Sequence, residues 1–262
     1  MNEWIRRSIE IANGQGYLDK LHEVYPVLQE AEREISDEIK KDLKRIYNGG
    51  DNLELVKSLL KLPKFPVKDP YVAFLRKREF FLEYNPATVD RLAERVRSMG
   101  FEGMIESIEE PKEFNRQIGT LFKKWMPKIG YPILSEDEFE KFKGIAFLQG
   151  SDSQLKDYAN RKLDCSLEKG PDILAKAGKH YVLGEAKFLT DYGGHQNAQF
   201  EDALRLLRGK KGKAIRIAIL DGVVWIEGGA KMYNIVSQLD DVALTSLLLK
   251  DFLETLKRKR KI

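Results

Sequence analysis

The sequence predicts an α/β (α+β) fold. A mixed sheet of four or five strands flanked by helices fills the C-terminal half, and an all-helical region precedes it. Two observations carry this. Up to about residue 60 the apolar residues recur at helical spacing, as in Ile35, Ile39, Leu43 and Ile46. From Gly144 onward, short apolar runs bounded by glycine alternate with amphipathic segments, the pattern of strands and covering helices packed in layers.

In chain order, Glu3 to Ala12 reads as a helix that Asn13-Gly14-Gln15-Gly16 breaks. Tyr17 to Ile46 is largely helical with an interruption at Pro26, and Asn48-Gly49-Gly50-Asp51 stops it. Asp51 or Asn52 caps a helix over Leu53–Leu62. Pro63, Pro66 and Pro70 then mark an extended linker. The expected division is a helical domain over residues 1–66, with about 108 as the alternative end, and a second domain over residues 67–262. Tyr71–Phe81 and Asn85 to Met99 give further helices, and a helix from Glu110 to Trp125 buries Phe114, Ile118, Leu121, Phe122 and Trp125. Ser135 and Glu138 form a capping box, and Ser151-Asp152-Ser153 caps a helix over Gln154–Leu163. Two short strands around Gly178 follow, then a helix from Gln196 to about Leu207. Ala214–Leu220 is a strand, Asp221-Gly222 a tight turn with Val223–Ile226 returning, and Asp240–Lys257 the last helix.

Composition narrows the function. Of 262 residues, 42% are hydrophobic, as in an ordinary globular protein. The single Cys165 excludes an internal disulfide framework and fits a reducing cytoplasm, and His22, His180 and His195 lie too far apart for a zinc site. No apolar run reaches membrane-spanning length and the N-terminus has no signal-peptide pattern, so a cytoplasmic, membrane-free protein is expected. The net charge is +4, and removing the terminal run Lys257-Arg258-Lys259-Arg260-Lys261 would leave −1. A second basic stretch, Ala203 to Leu220, holds Arg205, Arg208, Lys210, Lys211, Lys213 and Arg216 with no acid before Asp221, which suits phosphate contacts.

The chemistry concentrates in Pro171-Asp172 and, after twelve intervening residues, Glu185-Ala186-Lys187. A strand–turn–strand between them would bring Asp172 and Glu185 side by side at one edge of a sheet. Glu185 and Lys187, two apart, share a strand face, and Ala186 points into packing. Gly184 leaves room for a close approach. Two carboxylates and a lysine in that pattern suit metal-assisted phosphodiester hydrolysis. An exposed Glu/Lys pair on an edge strand is the plain alternative.

Gly170-Pro171-Asp172-Ile173-Leu174, Gly184-Glu185-Ala186-Lys187-Phe188 and Gly193-Gly194-His195-Gln196-Asn197-Ala198-Gln199-Phe200 together resemble the type II restriction endonucleases of the PD-(D/E)xK nuclease superfamily, most clearly over residues 110–226. The resemblance implies that Asp172 and Glu185 bind Mg²⁺ with the Ala186 carbonyl as a third ligand, and that Lys187 orients the attacking water. It implies products with 5′-phosphate and 3′-hydroxyl ends. A helix before the first catalytic strand can supply another acid, for which Glu113 is the candidate, with Glu110 behind it. A homodimer cutting both strands of double-stranded DNA and a cognate DNA methyltransferase are also implied. The second domain, residues 67–262, would then be catalytic and DNA-binding.

Gly193 and Gly194 let the backbone approach DNA, and His195, Gln196, Asn197 and Gln199 follow at a helix start able to hold a phosphate or read bases. Gln196 or Gln199 could instead support the metal site. Arg205, Arg208, Lys210 and Lys211 extend the same expected DNA surface. Two readings stay open beside the restriction enzyme: a structure-selective repair or recombination nuclease, and a DNA-binding module without catalysis.

Overall fold

The computed structural model describes residues 1–26, 34–78, 80–110, 118–209, 212–228 and 230–258. It divides into two compact units, Met1–Val27 with Phe114–Ile262, and Leu28–Glu113. The helical unit ends at Glu113, close to the alternative end of about 108 and not near residue 66, and it starts only at Leu28. The first helices belong with the sheet, because their apolar stripe, Trp4 and Ile5 of α1 (Glu3–Ala12) and Leu21 and Val24 of α2 (Tyr17–Val24), is buried in the core of the sheet unit.

That unit is built on a six-stranded mixed sheet in the order β1-β2-β3-β4-β5-β6: Ile133–Leu134, Ile145–Leu148, Ile173–Ala177, His180–Leu189, Ala214–Gly222 and Val242–Leu244. β1 and β2 are parallel, β3 runs antiparallel to both β2 and β4, and β5 and β6 continue parallel to β4. The β3–β4 hairpin turns at Gly178-Lys179, where Gly178 takes a φ of 63°. Positive φ at the first turn position matches the strand twist, and glycine adopts it without steric cost.

Alternation along the hairpin sends residues to two cores. Ile173, Val182 and Ala186 enter the larger one, with Trp4, Phe122 and Leu253. Leu174 and Leu183 enter a smaller one with Phe139 of α10 (Glu136–Lys141) and Leu155, Tyr158 and Ala159 of α11 (Asp152–Leu163). Glu185 and Lys187 follow Leu183 at steps of two and share its face. The capping boxes at Ser135 and Ser151 both form, and α9 (Ile118–Trp125) and α13 (Lys231–Val236) are further helices of this unit.

Two expectations over the last fifty residues fail. Asp221-Gly222 is no hairpin turn: β5 runs through both, Gly222 pairs with Leu189, and Val223–Trp225 is a 3-10 turn. Asp221 is fully buried and bonded from three sides, so it cannot sit at an exposed turn. Gly222 has a φ of 91° and passes so close to the Leu189 carbonyl oxygen that a Cβ would overlap it. The expected helix from Asp240 begins only at α14 (Leu249–Arg258), because Val242–Leu244 adds to the open edge of β5. A three-residue apolar run carries no helical or strand period of its own, and the available edge decides.

The second unit is helical: α3 (Asp37–Gly49), α4 (Asn52–Leu60), α5 (Val72–Leu75), α6 (Phe81–Tyr84), α7 (Pro86–Ser98) and α8 (Gly100–Glu109). Asp51 caps α4 through Glu54 N–H at 3.0 Å. Leu43 and Ile46 of the predicted stripe enter its core with Leu55, Leu92 and Met104, whereas Ile39 is exposed. Among the described residues, no helix is long and apolar enough to cross a membrane.

Candidate active site

The antiparallel register pairs Ile173 with Gly184, so one step further Asp172 faces Glu185. β3 begins only at Ile173, which leaves the N–H of Ala186 beyond the ladder; Asp172 Oδ2 accepts it at 2.8 Å. In an antiparallel pair one residue turns both its N–H and its C=O to the same neighbour. The Ala186 carbonyl is therefore directed to the side where Asp172 stands. The room left by Gly184 is filled from the adjacent strands: a Cβ there would come within 2.7 Å of Ile173 Cγ1 and 3.1 Å of Ile219 Cδ1.

Glu185 is held from two directions. Lys187 Nζ and Lys169 Nζ each lie 2.6 Å from its Oε1. The side chain of Glu185 is only 5% exposed and that of Lys187 16%, whereas Lys169, from the loop after α11, is 63% exposed. Burial pushes the Asp172 carboxyl up from its ordinary value, and the charge of Glu185 adds to this; the Ala186 N–H, Lys187 and Lys169 work in the opposite direction. For Lys169, burial works downward, but the hydrogen bond and charge of Glu185 outweigh it and hold the ammonium up.

Two facing carboxylates, one of them reluctant to ionise, and a carbonyl directed to the same place form a hard oxygen donor set that a divalent cation would relieve of its repulsion. The residues thus fit Mg²⁺. Among the described residues no cluster of three His, Cys, Asp or Glu side chains forms a metal site. Glu113 lies outside the described residues. Glu110, the residue behind it, belongs to the helical unit and pairs there with Lys64 at 2.5 Å.

Gly193 starts α12 (Gly194–Arg208), and Gly193, Gly194 and His195 are exposed. His195 Nε2 and Gln199 Nε2 lie 3.0 Å apart, and Asn197 Nδ2 donates to the Tyr192 carbonyl at 3.1 Å. Gln196 turns inward: it is 5% exposed, donates to Thr190 Oγ1 at 3.1 Å, and its Oε1 is buried with no partner. It cannot read a base edge from there. Arg205 and Arg208 are exposed, with Asp202 at 3.1 Å from the first and Glu201 at 3.6 Å from the second. Arg216 of the basic stretch is a core residue, donating to the Leu206 and Cys165 carbonyls. Lys210 and Lys211 lie outside the described residues.

Sequence reasoning missed Lys169. Its only local signal is its place three residues before Asp172, across Gly170-Pro171.

No curated protein and no solved structure matches the chain. The family model described as the Tsp45I type II restriction enzyme matches residues 2–256, from α1 to within α14 and through both units. The chain therefore belongs to the Tsp45I type II restriction enzyme family and is a DNA-binding, site-specific deoxyribonuclease.

Proposed function

We propose that Asp172, Glu185 and Lys187 form the PD-(D/E)xK active site of this restriction endonuclease, and that it hydrolyses double-stranded DNA with Mg²⁺, leaving 5′-phosphate and 3′-hydroxyl ends. The observation that best supports this is the facing of Asp172 and Glu185 at the end of the β3–β4 ladder, with Lys187 on the face of Glu185. Asp172, Glu185 and the Ala186 carbonyl would hold the cation. Bound there, Mg²⁺ supplies positive charge to the phosphate and lowers the pKa of a water. Lys187, anchored by Glu185, positions the attacking water and meets the charge that develops on the phosphate oxygens. No side chain is needed as a covalent nucleophile.

The start of α12 is the proposed DNA-contacting segment, through Gly193, Gly194, His195, Asn197 and Gln199, with Arg205 and Arg208 on the same helix, followed by Lys210 and Lys211. Gln196 supports the fold beside the site. A symmetric double-strand cut calls for two copies related by a twofold axis, so the working form is a homodimer. A methyltransferase that protects the same DNA sequence completes the system, and a cytoplasmic location follows from that role.

The test is incubation of purified protein with unmethylated phage DNA, with Mg²⁺ or with EDTA, beside Glu185→Ala and Lys187→Ala. Discrete bands that require Mg²⁺ and vanish in both variants are expected, and end-labelling gives the end chemistry. Cleavage that survives either substitution overturns the assigned site.

A further inference from the structure

The motif lysine is not alone on Glu185. Lys187 and Lys169 place their ammonium groups at the same distance, 2.6 Å, from the same oxygen. They are held very differently. Lys187 stands on β4, two residues from Glu185, with its side chain mostly buried. Lys169 leaves a loop, and its stem is largely in solvent. With Asp172 and Glu185 ionised, two cations balance two anions, so a divalent cation arriving on Glu185 competes with the ammonium groups for that carboxylate. The packing around the mostly buried Lys187 restricts its rotamers, whereas the solvent-exposed Lys169 can swing away by side-chain rotation.

Resting on the reading of the site above, we propose that Lys169 is a second working lysine of this active site: it yields Glu185 to the divalent cation and moves onto the phosphate of the bound DNA. Several observations support the direction of that movement. The loop carrying Lys169 also carries Asp172, with Gly170-Pro171 between them, so the lysine stays anchored beside the site as it moves. Its side chain is 63% exposed, so the ammonium can reach out from Glu185 toward solvent, where DNA would lie. A lysine ammonium is a compact point charge, suited to a phosphate oxygen that shifts during reaction. Lys169 thereby links cation binding to DNA binding: the contact it gives up on Glu185 is replaced only when phosphate is present.

A lysine that merely props Glu185 in place would weaken cation binding when removed. A lysine that competes for Glu185 would strengthen it. The experiment is calorimetric titration of the DNA-free, full-length protein with Mn²⁺ or Mg²⁺, for wild type, Lys169→Ala, Lys169→Arg and Glu185→Gln, together with single-turnover cleavage at saturating Mg²⁺. Lys169→Ala is expected to bind the cation severalfold more tightly and yet cleave about tenfold more slowly, with Lys169→Arg recovering much of the rate. Weaker cation binding in Lys169→Ala, or unchanged binding and rate, overturns the proposal. Glu185→Gln separates the two levels of the argument. If it loses cation binding and cleavage while Lys169→Ala behaves as wild type, only the role of Lys169 fails; if it cleaves normally, the assigned site itself fails.

Discussion

Asp172 Oδ2 accepts the Ala186 N–H at 2.8 Å, so the aspartate that opens β3 also closes the hydrogen-bond ladder of the hairpin. Under the proposed function the same carboxylate also has a chemical job, and the two roles can be separated. Asp172→Asn keeps an oxygen acceptor for Ala186 and removes the anionic donor. It should melt close to wild type and lose cleavage by about a hundredfold or more. Asp172→Ala loses both, with an added destabilisation of about 1 kcal/mol for the unmatched N–H. Thermal melts beside cleavage rates check this; an Asn variant that cuts within tenfold of wild type would remove Asp172 from the chemistry.

Two glycines near the site make a contrasting pair. A Cβ on Gly170 would overlap the carbonyl of Asp152 at the start of α11, whereas one on Gly194 meets nothing within 4 Å. Gly170→Ala must push the loop holding Lys169 and Asp172 away from α11, so it should lower both stability, by about 1–3 kcal/mol, and cleavage. Gly194→Ala should fold like wild type, and DNA affinity measured on short duplexes should fall if the backbone at Gly194 approaches DNA. A Gly170→Ala protein with unaltered melting and rate would show that the loop absorbs the methyl group elsewhere.

These features were legible in the sequence to different degrees. The hairpin was, because its turn, its two strands and its charged residues lie within one short stretch whose alternation places Glu185 and Lys187 on one face. The capping box at Ser135 and the helix cap at Ser151-Asp152-Ser153 were legible for the same local reason, whereas the reciprocal bond from Ser151 N–H to Gln154 Oε1 was read only in the structure. Membership of the restriction enzyme family decides among the functions that the residues left open. The place of the N-terminal helices was not legible: Trp4 and Ile5 announce an apolar stripe but not the core that receives it, which comes from residues far along the chain. β6 depends on an edge offered by β5, and Lys169 looks like any lysine in a chain that is one-third charged.

The buried carboxylate of Asp221 shows the same long reach. Tyr25 hydroxyl donates to its Oδ2 at 2.8 Å, while Thr245 hydroxyl and Ser246 N–H donate to Oδ1, tying the end of α2 and the segment after β6 to β5. Burial pushes its pKa up, although the hydrogen bonds from Thr245, Ser246 and Tyr25 oppose this. An acid whose folded pKa is raised contributes stability that is full below its unfolded value and is lost as pH rises through the folded value. Asp221→Asn should therefore flatten the decline in stability of the sheet unit above the ordinary carboxylate range. Asp221→Ala should cost several kcal/mol at any pH, since three donors lose their acceptor. All three tryptophans, Trp4, Trp125 and Trp225, belong to this unit, so tryptophan fluorescence follows its melting. An Asn variant with the wild-type pH slope would show that Asp221 does not titrate in that range.

The helical unit should respond to pH with the opposite sign. Asp69, in the proline-rich segment before α5, has a side chain 3% exposed, with Arg91 at 2.5 Å and Arg95 at 3.1 Å from its Oδ2. The hydrogen bond from Arg91 holds its pKa below the ordinary value against the upward push of burial, helped by the Tyr71 N–H and the charges of both arginines. An acid whose folded pKa is depressed contributes stability that is present above its unfolded value and is lost as pH falls through the folded one. Acidification below the ordinary carboxylate range should thus loosen the attachment of this segment to α7, and Asp69→Asn should remove that sensitivity while lowering stability at neutral pH. Because the helical unit contains no tryptophan, a far-UV circular dichroism loss that precedes the tryptophan signal on acid titration isolates it. Should the Asn variant unfold at the same acid midpoint as wild type, the Asp69–Arg91 contact carries no part of the acid response.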